Sequence, residues 1–183
     1  MCSILKGAER SPSRPAPTFD RMPWDLRPVD PGFFDDARYR FTATEILSRP
    51  AVDLFAAIAE DPAGWGRWFP GFSSTGRYLT PPPHGTGSRR TVRMASVVFE
   101  ETVIAWEPGT RYSFRVERAG APIAYALAED YTMVDHGTYS SVQWTFAADP
   151  RPPLGRLLPR SDPLLAALFR RAMERLDRTD RQP

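Results

Sequence analysis

Glu100 and Glu101 stand side by side in Val97–Trp106, a run rich in β-branched and aromatic residues. Neighbours on a strand point to opposite faces, so one carboxyl faces the covered side and the other faces water. Burial pushes a carboxyl toward its protonated form and suits it to general acid–base work. The competing and favoured reading pairs it with Arg90 or Arg93 on the preceding strand. Opposite facing excludes joint action by the two carboxyls. Tyr112, Tyr125 and Tyr131 add hydroxyls to the same setting. If Tyr125, Leu127 and Tyr131 face inward with Tyr112 and Phe114, an apolar interior holds phenols that need partners. The partner is a polar ligand group or, on the plainer reading, solvent or a backbone carbonyl. Glu100 and Tyr131 are the candidates for moving a proton.

Other chemistries find little support. His84 and His136 lie in separate glycine-containing turns, and neither has a second His or Cys at ligand spacing, so no metal site is expected. Cys2 is the only cysteine, which rules out an internal disulfide. No nucleophile elbow is present, and Gly85-Thr86-Gly87 lacks the lysine and helix of a phosphate loop. No cofactor is expected. Twenty-four basic residues face twenty-two acidic ones in 183 residues, for a net charge of +2, so no overall field draws nucleic acid. All basic residues except Lys6 are arginine, the mark of a GC-rich bacterial coding bias. No run is long and apolar enough for secretion or membrane insertion, which points to the cytoplasm.

The elements that must position these residues are legible from periodicity. Residues 1–37 are rich in Pro, Arg, Ser and Asp without period and read as a poorly ordered arm. Trp24 or Phe33-Phe34 could be pinned to the domain surface, and the arm could serve a protein partner. From 38 to 180 the chain reads as one domain. Alternation over Tyr39–Ile46 predicts a strand. Pro50 opens a helix with Val52, Phe55, Ala56, Ile58 and Ala59 as its stripe, and Asp61-Pro62 stops it. A further turn or two leads to Pro70-Gly71. Strands follow near 72–79, 88–94, 97–106, 111–118, 123–134 and 138–147, joined by turns that imply an antiparallel meander. After a proline-rich connector, Pro163 starts a helix with Leu164, Leu165, Leu168, Phe169, Ala172, Met173 and Leu176 on one side. Its arginine face, diluted by acids, reads as solvated.

That order resembles the START/birch-pollen-allergen superfamily, often called SRPBCC, and within it the bacterial polyketide cyclase/dehydrase-like branch. The resemblance rests on Arg49–Phe55 entering the first helix, Trp65–Pro70, Val103–Arg111 between two strands, and Gly137-Thr138 before the last strand. It implies an α+β helix-grip fold: a seven-stranded antiparallel sheet curved around a long C-terminal helix, with two short helices after the first strand. It also implies a hydrophobic cavity between sheet and helix. Tyr112, Phe114, Tyr125, Tyr131 and Trp144 would line that cavity from the sheet, and Trp68 from the helical insert. Leu165, Leu168, Phe169 and Met173 would line it from the helix. Trp65 and Trp68 read better as closing the open end than as a ligand mouth. The implied function is binding of a lipid-like or polyketide-like molecule. A cofactor-independent aromatase/cyclase or dehydratase, and a regulatory protein-interaction module, are the alternatives.

Overall fold

A computed structural model describes residues 22–179. Tyr39 and Phe41 are buried between exposed Arg40 and Thr42, and this alternation carries strand β2, Tyr39–Leu47. It is preceded by a two-residue strand β1, Trp24–Asp25, and a one-turn helix α1, Phe33–Asp36. Two short helices follow, α2 at Ala51–Phe55 and α3 at Trp65–Trp68. Five strands come next: β3 Arg77–Tyr78, β4 Arg89–Met94, β5 Val97–Glu107, β6 Arg111–Ala119 and β7 Ala124–Asp135. Strand β8, Ser140–Pro150, a short helix α4, Leu154–Leu157, and the long helix α5, Asp162–Thr179, complete the chain.

Seven strands pair antiparallel in the order β2-β8-β7-β6-β5-β4-β3, a meander from β3 to β8 with β2 beside β8, and β1 adds an eighth strand on β6. Phe41, Phe146, Glu129, Phe114 and Val103 fall into one cross-strand row on the face turned toward α5. Helix α5 buries Phe169, Ala172, Met173 and Leu176 against that face and leaves Arg170, Arg171, Glu174 and Arg178 in water. Leu164 is not part of its buried stripe and is exposed.

Helix α2 widens into a π-type turn over Ala56–Glu60. Side chains cover the carbonyls it presents: Trp65 Nε1 donates to Ile58 O at 2.9 Å, and the Tyr78 hydroxyl donates to Ala59 O at 2.6 Å. Trp65 also stacks on Phe69 and meets Phe72 edge-on. The helical insert is thereby fixed at one end of the sheet.

Two expectations need correction. The strand expected near 72–79 shrinks to a bridge from Phe72 to Met94 and the two residues of β3. Ser73 Oγ and Thr75 Oγ1 bond each other at 2.7 Å, and Gly71 has φ +92°, so local turn chemistry displaces the ladder there. The proline-rich connector after β8 holds α4 and a 3₁₀ turn at Leu158–Arg160. Finally, residues 22–37 are not a poorly ordered arm. Leu26 N donates to Glu117 O and Arg27 N donates to Tyr125 O, so the segment fills the gap where β6 and β7 part. Val29, Phe33 and Phe34 then bury themselves on Ala126, Ala128 and Ala147, a seat of small residues on the outer face. Residues 1–21 of the expected arm lie outside the described residues.

Candidate functional site: a polar cluster in an aromatic cup

Paired charges face each other twice across β4 and β5. Arg89 and Arg90 are consecutive, and so are Glu100 and Glu101, so alternation sends one pair outward and one pair inward. Outside, Glu100 is bonded by Arg118 Nη2 at 2.6 Å and paired with Arg89. Glu100 is therefore withdrawn as a proton-transfer candidate: its carboxyl is on the face away from the cup and held by two guanidinium groups. These residues, with Asp25, Leu26 and Glu117, border a surface groove of about 420 Å³.

Inside, Arg90 Nε donates to Glu101 Oε2 at 2.6 Å, and Arg90 is completely buried. Its guanidinium carbon lies 4.4 Å from the ring centre of Phe114, 4.7 Å from Trp65 and 5.2 Å from Tyr112. Both terminal nitrogens, Nη1 and Nη2, are buried without a hydrogen-bond partner. The Tyr112 hydroxyl is also buried without a well-aligned partner, although it feels the neighbouring Tyr78 phenol. Burial opposes the Arg90 charge, but Glu101, Tyr112 and Tyr78 outweigh it and hold the guanidinium protonated. Burial raises the Glu101 carboxyl above its usual range, with Arg90 pulling the other way.

A second carboxyl shares the cup. Glu129 on β7 lies in register between Phe114 and Phe146. The Tyr131 hydroxyl and Trp144 Nε1 both donate to its Oε2, at 2.8 and 2.9 Å. Burial, reinforced by the negative charge of Glu101, pushes the Glu129 carboxyl up to about 7, against the two hydrogen bonds and Arg90. Glu129 is half-buried, as are Phe146, Leu165 and Leu168. Phe146, Leu165 and Leu168 belong to the partly buried margin of the cluster, as do Phe72, Tyr78 and Trp106.

Most of the residues expected in the interior are brought together. Trp68, Tyr112, Phe114, Tyr131, Trp144, Phe169 and Met173 are buried in one cluster, with Leu165 and Leu168 packed at its margin. Trp65 and Trp68 meet at 5.1 Å within that cluster and are not free rings at a mouth. Tyr131, the other proton-transfer candidate, is in the cup, but burial and Glu129 hold its phenol well above the ordinary range and its proton is committed to Glu129. Tyr125 is the exception. It is 45% exposed on the outer face, with the Arg151 guanidinium 4.1 Å from its ring. The cause is a bulge between Ala124 and Ala126, where Tyr125 falls out of pairing with β8. His84 stacks on Tyr78 at 3.9 Å, and His136 stacks on Tyr139 at 4.6 Å with Nε2 3.2 Å from Ser141 Oγ.

Sequence reasoning missed Glu129 and treated Arg90 only as a partner. The signal for Glu129 was present, since it shares parity with Tyr131 and so had to face inward with it. Arg90 offered none, because Arg89-Arg90 can be placed either way round.

Comparison with known proteins agrees with this architecture. An uncharacterized protein of Mycobacterium tuberculosis is 33% identical over 147 residues, which cover 80% of this chain and 87% of that protein. A START superfamily protein from Mycobacterium smegmatis superposes with a TM-score of 0.59 at 14% identity, over 75% of this chain and 98% of that one. The di-domain ARO/CYC BexL from the BE-7585A biosynthetic pathway gives 0.61 at 15% identity, over 76% of this chain. This chain spans only 46% of BexL, about half its length. Identities this low speak to the fold alone. The family model described as polyketide cyclase / dehydrase and lipid transport matches residues 38–179, and the chain belongs to that family.

Proposed function

We propose that this protein binds a hydrophobic small molecule of lipid-like or polyketide-like character inside the cup, and that it recognises an oxygen on that molecule. The observation that carries the reading is the pair of buried Arg90 terminal nitrogens without a hydrogen-bond partner. Buried donors left unmet cost about 1–3 kcal/mol each, and a ligand oxygen removes that cost. Phe146, Leu165 and Leu168 supply apolar surface at the partly buried margin, where burial contributes about 25 cal/mol per Å². Arg90 and Glu101 cancel in charge, so a neutral carbonyl or hydroxyl oxygen suits the site better than an added anion. Family membership supports the same reading. Among the described residues no helix is long and apolar enough to cross a membrane.

The test compares 2-tetralone with tetralin, a ketone and its carbonyl-free counterpart, by quenching of tryptophan fluorescence. A hydrogen bond to a charged donor is worth about 1.5–3 kcal/mol, so the ketone binds about 10- to 100-fold more tightly. Arg90→Met removes that preference while tetralin binding persists. Equal affinity for the two probes, or a preference unchanged in Arg90→Met, overturns the reading. Native mass spectrometry of protein purified from its own source checks the ligand class directly.

A further inference from the structure

We infer that the groove of about 420 Å³ on the outer face of the sheet is a second binding site, which takes a small zwitterion with the chemistry of an amino acid. The ligand's carboxylate meets Arg89 and Arg118, and its ammonium group meets Asp25. The groove lies on the side of the sheet away from the cup, so this site is independent of the binding reading above. Two of its walls, Asp25 and Leu26, come from the segment that precedes residues 38–179, and the family's common frame does not supply them. A bulge arranges the opposite wall. Glu100 is in register with Arg118 but Glu101 with Val116, which leaves Glu117 as an extra residue on β6. On a regular strand Glu117 and Arg118 would point to opposite faces; here both border the groove.

The charges on these walls are unequally used. Glu100, with its side chain 4% exposed, accepts from Arg118 Nε at 3.2 Å and Nη2 at 2.6 Å and pairs with Arg89 Nη2. One buried carboxylate thus braces two half-exposed guanidinium groups from beneath. Arg118 Nη1, Arg89 Nε and Arg89 Nη1 form no hydrogen bond among the described residues. Glu117 is taken by Arg115 at 2.7 Å. Asp25 is the register partner of Arg118, and Cβ atoms so paired are about 5 Å apart. Asp25 nevertheless makes no ion pair among the described residues, because Arg118 turns to Glu100. Unused donors and an unused acceptor therefore stand side by side, as the two charged ends of an amino acid do. Arg89, Arg115 and Arg118 balance Asp25, Glu100 and Glu117, so a ligand with a single charge of either sign leaves one side unmet. Leu26 adds an apolar wall for a side chain. Guanidinium groups already braced need little ordering when a carboxylate arrives.

Titration of the isotope-labelled full chain with L-leucine, N-acetyl-L-leucine and L-leucinamide, read from backbone amide shifts by NMR, tests the assignment. The probes share a side chain and carry both charges, the carboxylate only and the ammonium only. Leucine binds about five-fold more tightly than either analogue, the scale of one exposed ion pair, with shifts centred on Asp25, Leu26, Thr102 and Arg118. Asp25→Asn brings leucine down to the affinity of acetyl-leucine, and Arg89→Gln brings it down to that of leucinamide. Arg171→Gln, on the exposed face of α5, changes neither. The same spectra establish that each variant is folded. Leucine that binds no more tightly than either analogue, an advantage that survives Asp25→Asn or Arg89→Gln, or the lack of saturable shifts at the groove overturns the inference. Each of those results leaves the cup reading standing, since the tetralone comparison probes the other face of the sheet.

Discussion

Replacing Glu129 by glutamine separates the cost of its charge from the worth of its contacts. Glutamine has nearly the same shape, and its amide oxygen can still accept from Tyr131 and Trp144, the donors at 2.8 and 2.9 Å. What disappears is the ionisable proton. The carboxyl titrates at about 7 in the fold against 4.5 ordinarily, because burial and Glu101 disfavour its charge. Each pKa unit is worth about 1.4 kcal/mol, so ionising Glu129 costs the native state about 3 kcal/mol. The sign follows from proton binding. Between pH 4.5 and 7 the native carboxyl keeps a proton that the unfolded chain has released. Native stability from this group is therefore full below pH 4.5 and is lost as pH rises through 7.

Urea unfolding of wild type and Glu129→Gln at pH 5, 6, 7 and 8 measures the difference, and other titrating groups largely cancel in the subtraction. The variant should gain on wild type by about 2.5 kcal/mol from pH 5 to 8, or about 2 once partial exposure is allowed for. A difference that stays flat within about 0.5 kcal/mol, or that runs the other way, refutes the claim that this carboxyl is held near neutrality.

Three further outcomes follow from the packing. Glu101→Gln leaves the Arg90 charge in its ring cage without a counter-charge and should cost about 3–5 kcal/mol in unfolding free energy, whereas the double change Glu101→Leu with Arg90→Met should recover most of it. Gly66→Ala places a methyl 2.5 Å from Ser74 N and 2.7 Å from Ser73 C, both backbone atoms, so its melting temperature should fall by an amount matching about 1–3 kcal/mol. Leu26→Ala should cost about 2–4 kcal/mol, because Leu26 is buried with Val116, Ala119 and Leu127; a loss under about 0.5 kcal/mol would mean that residues 22–37 are a loose arm after all.

Legibility from sequence followed the strength of local pattern. Strands β6 and β8 have one wet and one covered face, and their alternation put Tyr112, Phe114, Trp144 and the following helix in place. The cup's polar chemistry was harder to read. Glu100 and Glu101 could be assigned to faces only by knowing which one opposes Arg90, and that register depends on pairing between strands. Tyr125 was misplaced because one bulge reverses parity for a single residue, and a bulge between two alanines has no local signature. Residues 22–37 looked unstructured because their order comes from elsewhere. Val29, Phe33 and Phe34 have no period of their own, and they are fixed only because Ala126, Ala128 and Ala147 leave room on the far side of the sheet.

The buried Arg90–Glu101 pair is the reason to look for a ligand rather than for a stability device. Removing two charges from water costs several kcal/mol per ion, and an apolar pair of similar volume often serves a fold as well or better. Here the compensation is incomplete. One nitrogen of Arg90 is bonded, while the other two face Phe114, Trp65 and Tyr112, where ring faces return about 0.5–2 kcal/mol. Folding therefore strips the guanidinium of water and leaves it short of acceptors. A ligand oxygen arriving there meets donors already dehydrated and already held in place, so most of the cost of making that bond has been met by the fold. Glu129 is likewise desolvated, with its carboxyl braced by Tyr131 and Trp144. Interiors built for stability alone bury leucine and phenylalanine; this one keeps a guanidinium 4.4 Å from the Phe114 ring and a carboxyl in register with Phe114, the groups through which the proposed ligand oxygen would be recognised.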